Sequence, residues 1–451
     1  MIRRPVWLRC AALLCVACRG GGEIDFGASS GGRGGSATSA IAGKGGGQGG
    51  SGGEVGTGGM GGSGPAGAPP LGPECVQITI DDGTQIPMPA VFPADDSNIH
   101  VFWEPGSGVS SCFLHVDTYS TAGAVVVQRE YPITFQGQKD CQVDGVLARA
   151  PNGVFMITGG SGYILGTPAD PVLTTSLFPT WPGNAVRDGW DGEAFAVHIV
   201  ANKLMLARVS ESGELLGLTP AHFLAGSGYE GRSYAIATDP SSGISISTAL
   251  TLGVGLSMTG HDRMGNDVQG VDADGRALVV PEGSNDGLGL ALLNGHAMST
   301  FSNYLGLVVA TTLQTDLSQT SWYLAPWGEG TAIGAQSIAP MPALGPDVVW
   351  MAGIAGTHLD ELVLDSTKQR KRRMIVAPVG PDYPWSVIGF RYVQTVTTPN
   401  GDRWVAFQDY TNDAGARPDS SAKKHNPLRI LKVLDSCTYQ TQYDLDRQAG
   451  M

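Results

Sequence analysis

Eight histidines are the first residues to consider for chemistry, and each is isolated in the sequence. They are His100, His115, His198, His222, His261, His296, His358 and His425. None has the His-x-His or His-Glu-x-x-His spacing that holds a catalytic zinc ion. His115 and His198 alternate with apolar neighbours, as structural histidines in strands do. We therefore predict no metal, no cofactor and no catalytic residue, although an acid pair or a Ser-His-Asp set assembled from distant segments would leave no such spacing.

Charged segments offer three further candidates. Asp81–Gly83 and Asp272–Gly275 hint at calcium loops, but both lack the downstream bidentate acid, which favours ordinary turns. The basic run Lys368–Arg373 could contact lipopolysaccharide, phosphates or an acidic partner. A solvated, charged hairpin that protects a sheet edge is the favoured interpretation of that run. The long polar insertion Asp409–Leu428 is the leading candidate for a binding loop.

The N-terminus has the pattern of an export signal. Its basic side chains are Arg3, Arg4 and Arg9. A short apolar stretch from Ala11 to Ala17 follows, too short to span a bilayer, and Cys18 comes directly after it. The segment resembles bacterial lipoprotein precursors, which implies a lipid on Cys18, and Arg19 beside it favours the outer membrane or cell surface. Leu14 lies one position too early for the lipobox, so an ordinary secretory signal with an incidental cysteine stays open.

Composition divides the rest of the chain in two. Residues 18–72 are mostly Gly and Ser, which predicts a disordered tether behind a signal peptide at 1–17. Residues 73–451 have a globular composition and form the predicted folded domain. The net charge of −13 argues against nucleic acid and against adhesion to anionic lipid. Membrane contact is therefore expected only through the N-terminal lipid.

The cysteines predict two disulfides. Of the seven, Cys10 and Cys15 belong to the signal peptide and Cys18 would carry the lipid. The remaining four are Cys75, Cys112, Cys141 and Cys437, an even number in an oxidising compartment. Three pairings are possible. We prefer Cys112–Cys141, which closes a local loop, and Cys75–Cys437, which joins the two ends of the domain.

Short strand-like segments recur along the domain. They begin at Leu114, Tyr163, Leu206, Leu256, Leu307, Leu359 and Leu431. Their starts lie about 43–52 residues apart, except for a last interval of about 72, close to the period of a four-stranded propeller blade. Turns with Gly tend to precede them, as at Asp188-Gly189, Asn152-Gly153 and Asn400-Gly401.

These patterns predict an all-β propeller, preferably of seven blades, with six or eight possible. The strand with Trp190-Asp191-Gly192, followed by Leu206 to Gly213, resembles the blade units of secreted bacterial propeller proteins. Pairing of Val76–Ile80 with a strand at Leu431–Cys437 would close the ring. A pair of β-sandwiches is the alternative, but near-constant spacing disfavours it. Seven tryptophans could pack between blades or line the central mouth: Trp181, Trp190, Trp322, Trp327, Trp350, Trp385 and Trp404.

The sequence favours a binding function over catalysis. We expect a surface-displayed monomer whose propeller binds a polysaccharide or an envelope protein. The alternative is a secreted carbohydrate-active propeller enzyme, a lyase or glycosidase, and a purely structural envelope component is a third possibility. Carboxylates converging in the channel about 5–10 Å apart would favour the enzyme. A channel lined by small or apolar groups would favour binding.

Overall fold

In a computed structural model of the full chain, the strands of the domain are arranged in seven sheets, and all strand pairs but one are antiparallel. The structure describes residues 75–80, 89–95, 97–105, 113–133, 147–149, 153–159, 162–167, 174–177, 184–200, 204–221, 234–251, 255–271, 277–280, 288–303, 306–325, 333–355, 358–377, 393–408 and 428–440. We number the sheets 1 to 7 along the chain. Within each sheet the strands pair in sequence order, except that strands from the two ends of the domain are added to sheets 6 and 7.

Sheets 1 to 4 come from the first half of the domain. Sheet 1 contains β2 (Ala90–Pro93), β3 (Ile99–Trp103), β4 (Phe113–Tyr119) and β5 (Val125–Pro132). Sheet 2 contains β6 (Leu147–Arg149), β7 (Phe155–Gly159), β8 (Gly162–Gly166) and β9 (Thr174–Leu177). Sheet 3 contains β10 (Asn184–Trp190), β11 (Phe195–Val200), β12 (Leu204–Val209) and β13 (Leu215–Ala221). Sheet 4 contains β14 (Tyr234–Thr238), β15 (Ser245–Thr251), β16 (Gly255–His261) and β17 (Ala277–Val280).

Sheets 5 to 7 complete the set. Sheet 5 contains β18 (Leu288–Leu293), β19 (His296–Asn303), β20 (Gly306–Leu313) and β21 (Thr320–Ala325). Sheet 6 contains β22 (Ile333–Pro340), β23 (Val349–Ala355), β24 (His358–Leu364), β25 (Gln369–Ala377) and the added β29 (Tyr439–Gln440), with a 3₁₀ helix at Pro342–Leu344. Sheet 7 contains β26 (Val393–Thr397), β27 (Arg403–Gln408), β28 (Leu428–Lys432) and the N-terminal β1 (Gln77–Ile80).

The sheets form a closed ring. Consecutive first strands contact one another from β6 through β10, β14, β18 and β22 to β26, and β26 contacts β2. Sheets 1 and 2 share buried side chains, among them Phe102 and Phe155, whose ring centroids lie 5.1 Å apart. Inner strands such as β16 are buried along their whole length because each sheet packs against its neighbours on both faces. The predicted all-β propeller is confirmed.

The predicted repeat corresponds to one position in every sheet. Each of the seven segments identified by its strand-like pattern lies on the third strand of its sheet, from Leu114 on β4 to Leu431 on β28. Glycines with positive φ make the turns between strands, for example Gly213 (88°) and Gly401 (89°).

The turn signal Asp188-Gly189-Trp190-Asp191-Gly192 contains two candidate turns, and the chain uses the second. The hairpin after β10 turns at Asp191-Gly192, because the Asp191 carboxylate accepts the backbone N–H groups of Glu193 (2.9 Å) and Ala194 (2.8 Å). The strand continues to Trp190, and its register shifts between Val186 and Gly189.

The ring closes where its two ends meet, as predicted. β1 pairs with β28, with Gln77 opposite Leu431, and Cys75 is bonded to Cys437 with a Cα–Cα distance of 5.6 Å. The predicted closing strand at Leu431–Cys437 needs correction, since β28 is Leu428–Lys432. The chain must turn after Lys432 to bring Cys437 back beside Cys75, and the Cys437 N–H donates to the Leu434 carbonyl (3.1 Å) within this turn.

Candidate functional site

A cavity of about 810 Å³ opens where the first strands of sheets 4, 5 and 6 end. Each strand leads into its hairpin turn there, so three turns form the rim. The lining residues are Ala237, Thr238, Asp239, Pro240, Leu290–Asn294, Ile338–Pro340, Pro342, Gly345, Pro346 and Thr395. Most of them are apolar or small, and several of the rim positions are prolines with fixed φ. We call this cavity the rim pocket.

Close packing of the sheets positions these strands. Gly289 on β18 lies so near β22 that a Cβ atom there would be 2.2 Å from Cγ2 of Ile338. Sheets 5 and 6 therefore approach each other closely beside the pocket, because position 289 has no side chain to separate them. Leu290 and Leu292 alternate with buried Ala291 and Leu293, so β18 contributes apolar groups on both of its faces.

The hydroxyl groups of the rim pocket are hydrogen-bonded within the protein. The Thr395 hydroxyl lies 3.0 Å from the Ser337 hydroxyl, which also accepts the Thr395 N–H at 3.0 Å. The Thr238 hydroxyl lies 3.0 Å from that of Ser245. These hydrogen bonds link neighbouring strands and engage both hydroxyls. The surface that the pocket offers to a ligand is therefore mainly apolar.

Asp239 is the only carboxylate among the described lining residues. It accepts hydrogen bonds from the Ser241 N–H (3.0 Å) and hydroxyl (2.8 Å) and from the Ser242 hydroxyl (2.8 Å). Burial raises the pKa of Asp239, but these hydrogen bonds outweigh it and hold the pKa below its usual value. Asp239 is thus an ionised group that fixes a turn, and no second acid of the lining is available to pair with it.

Gln369–Arg373 of the basic run Lys368–Arg373 lie on β25, and the four cations on the strand are each bound to an acid. Arg370 contacts Asp365 (2.7 Å), Lys371 contacts Asp435 (2.7 Å), Arg372 contacts Asp360 (2.8 Å) and Arg373 contacts Glu361 (3.2 Å). The strand is also covered by β29 through Val376 and Ala377. The favoured charged edge is present, but four of its five cations are paired with acids of the protein, which weakens the attraction for phosphates.

Glu361 is the centre of this ionic cluster and is fully buried. The Arg403 guanidinium donates to one of its carboxylate oxygens and Arg373 to the other. Arg373 also donates to the carbonyls of Leu434 (2.6 Å), Asp435 (3.0 Å) and Cys437 (2.8 Å). The cluster therefore holds the C-terminal segment in place beside the disulfide.

The five histidines whose side chains the structure describes are dispersed and have structural partners. His115 stacks on Trp103 with ring centroids 4.0 Å apart, and His100 lies 2.9 Å from the Thr118 hydroxyl. His261 is fully buried and lies 3.2 Å from Asp267, and His358 lies 3.4 Å from Asp360. His296 contacts the Asn294 carbonyl (3.2 Å) at its turn. Within the described residues no group of three His, Cys, Asp or Glu side chains is placed to hold a metal ion.

Asp117 is a buried acid outside the rim pocket. The Trp103 indole N–H donates to its carboxylate (2.9 Å), and the Tyr119 hydroxyl lies 3.5 Å away. Burial raises the pKa of Asp117, and these hydrogen bonds offset part of that rise. Tyr119 packs in the core shared by sheets 1 and 7, so this polar group lies at an interface between sheets.

The tryptophans divide between core and surface. Trp350 and Trp404 are fully buried, as expected for packing between blades, and the Trp350 indole donates to the Thr397 hydroxyl (2.7 Å). Trp190 meets Phe195 edge to face at 5.4 Å, whereas Trp322 is 52% exposed. None of the described pocket residues is a tryptophan.

Several predicted site residues lie outside the described residues. They are Cys18, Cys112, Cys141, His222, His425, Asp81–Gly83, Asp272–Gly275, most of Asp409–Leu428, Trp181, Trp327 and Trp385. The rim pocket itself was missed by sequence reasoning. Asp239-Pro240 has the composition of an ordinary turn, and nothing in the sequence brings it next to Leu292 or Pro342.

No family model matches the chain, and no curated protein matches its sequence. Among solved structures, the chain is similar to a streptogramin B lyase at 11% identity and a TM-score of 0.47, over 79% of this chain and 98% of that chain. It is similar to the WD40 domain of Pan2 from Neurospora crassa at 9% identity and a TM-score of 0.46, over 79% and 92%. It is also similar to BamB from Moraxella catarrhalis at 8% identity and a TM-score of 0.38, over 79% and 98%. These likenesses concern the fold, and the activities of those proteins are not transferred to this chain.

Within the described part of the chain, no helix has the length and apolar character needed to cross a bilayer.

Proposed function

We propose that this protein is an interaction module that binds an apolar segment of an envelope protein in the rim pocket. The observation that carries the proposal is the chemistry of the pocket wall. Leucine, isoleucine, alanine and proline side chains form most of it, while the hydroxyls of Thr238 and Thr395 and the carboxylate of Asp239 are engaged within the protein.

An apolar ligand fits this wall better than a sugar does. Burying a sugar hydroxyl without a hydrogen bond costs free energy, and the pocket offers it few unengaged partners. Burying an apolar side chain instead stabilises the complex by about 25 cal/mol per Å² removed from water. A partner protein is therefore favoured over the polysaccharide.

The same wall favours binding over turnover. Glycoside hydrolysis requires two carboxyl groups on either side of the scissile bond. The described lining supplies one carboxylate, and that group already accepts three hydrogen bonds within its turn.

Display from the envelope is the second part of the proposal. The signal at 1–17, the lipid on Cys18 and the Gly-rich tether at 18–72 would hold the propeller at the outer membrane or cell surface. This part is supported by the sequence pattern alone. Labelling with radioactive palmitate, compared between wild type and Cys18→Ser, tests it independently of the pocket.

Selection from a displayed library of random peptides tests the pocket. The bait is the full chain, and the variant Pro346→Lys places a charge on the rim. The matched control is Met264→Lys, which changes an 80% exposed side chain outside the pocket lining. We expect apolar peptides to be enriched on wild type and on the control and to be lost on Pro346→Lys.

A parallel array of glycans, with turnover measured on each hit, addresses the alternative. Cleavage of any glycan, or a selection that yields no peptide whose binding Pro346→Lys abolishes, would contradict the proposed function.

A further inference from the structure

The outer edge of sheet 5 exposes two large apolar side chains on one strand. Trp322 is 52% exposed and Leu324 is 40% exposed, and both belong to β21, the last strand of the sheet. Residues two apart on a strand point to the same face. Trp322 and Leu324 therefore form one apolar strip beside a strand edge that no other described strand pairs with.

This strip continues a buried interface outward. Trp322 lies opposite Ala310, and Leu324 lies opposite Val308, across the β20–β21 pair. Ala310 and Val308 are buried in the core that sheets 4 and 5 share. The exposed pair thus lies where that interface reaches the surface, and a segment placed there would extend an existing core.

Among the described residues, no further strand pairs with the outer edge of β21, and the strand itself has no charged or proline residue. Its sequence is Thr-Ser-Trp-Tyr-Leu-Ala. By contrast, the outer strand β5 carries Arg129, Glu130 and Pro132, and β25 carries the basic run and is covered by β29. Unpaired, uncharged edges are the surfaces that accept an additional strand.

The molecule already contains one such added strand. On sheet 6, β29 pairs with β25 in parallel, with Tyr439 opposite Val376. The Tyr439 side chain is 1% exposed and lies in the core between sheets 6 and 7. An aromatic side chain of an added strand can therefore fill the outer part of an interface between two sheets of this ring.

We propose that β21 binds an extended segment of a partner protein as a fifth strand of sheet 5, with apolar residues at alternate positions packed against Trp322 and Leu324. Backbone hydrogen bonds to the strand edge would supply affinity, and the apolar strip would supply specificity. This surface is separate from the rim pocket, whose lining contains no residue of β21.

The test uses the full chain and a displayed library of peptides with an apolar residue fixed at every second position. Selected peptides are synthesised with a fluorescent label, and their affinity is measured by anisotropy. Trp322→Ala removes the larger apolar group from an exposed site and should leave folding intact. Leu216→Ala is the matched control, because Leu216 is 49% exposed on β13, the outer strand of sheet 3.

We expect peptides to be enriched on wild type, with affinity at least about tenfold weaker for Trp322→Ala and unchanged for Leu216→Ala. A peptide N-methylated at alternate residues loses the backbone donors that face the edge and should lose binding. The pocket variant Pro346→Lys should bind the same peptides as wild type, which separates this proposal from the proposed function.

Three results would overturn the inference. One is that the selected peptides are enriched no more on wild type than on Trp322→Ala. Another is equal binding of the N-methylated peptide. The third is a dimer in sedimentation analysis that Trp322→Lys abolishes, since a second copy of the chain would then occupy the edge.

Discussion

Removal of the disulfide should destabilise the domain by an amount set by the length of the loop it closes. Cys75 and Cys437 are 362 residues apart in sequence. For a loop of that size the chain-entropy relation gives a loss of about 6 kcal/mol in the free energy of unfolding at 25 °C. Unfolded chains are more compact than that relation assumes, so we expect about 3–5 kcal/mol for Cys75→Ser/Cys437→Ser.

Urea denaturation followed by tryptophan fluorescence measures the change, provided that the transition is two-state. The matched control is Cys112→Ser/Cys141→Ser compared with and without reductant, because reduction then breaks only Cys75–Cys437 and places no serine hydroxyl at buried Cys437. The predicted second bond serves as a comparison: Cys112→Ser/Cys141→Ser would open a loop of about 29 residues and cost about 3.6 kcal/mol. Equal midpoints for oxidised wild type, reduced wild type and Cys75→Ser/Cys437→Ser would refute the reasoning.

Three further predictions concern the sheet interfaces and pH. Glu361→Gln should destabilise the fold by about 3–5 kcal/mol in the same urea assay, because it leaves two arginines without their buried anion; an unchanged midpoint would count against it. Gly289→Ala should cost about 1–3 kcal/mol, since the new Cβ meets Ile338, and a melting temperature equal to that of wild type would contradict this. Although burial raises the pKa of Asp365, hydrogen bonds from Arg370 and Thr367 hold it well below its usual value, so its stabilisation is present above about pH 4 and is lost as the pH falls further. Asp365→Asn should therefore flatten the acid limb of the curve of melting temperature against pH, and parallel curves would argue otherwise.

The sequence carried enough information to predict the ring. Leu206, Leu256 and Leu307 recur because each lies on the third strand of a sheet that packs on both faces. The sequence of such a strand is a nearly continuous apolar run. Closure could also be predicted, since Val76–Ile80 alternates as a strand and Cys75 and Cys437 mark the two ends of the domain.

The rim pocket could not be predicted in the same way. Pro240, Leu292 and Pro342 come from three different sheets, and only the ring geometry brings them together.

The basic run is a feature whose residues are evident in the sequence but whose electrostatic effect is not. Its charges are visible in the sequence, but the acids that neutralise Arg372 and Arg373 lie on the neighbouring strand, so the local charge overstates the surface potential.

The covalent joint at Cys75 bears on how the domain would respond to mechanical tension. If the chain is anchored at its N-terminal end, as proposed above, drag on the propeller is transmitted through residue 75. A terminal edge strand such as β1 would then peel from β28 one hydrogen bond at a time. The link to Cys437 carries the pull to a segment fastened by Arg373 instead, so the domain should resist shear at its attachment point.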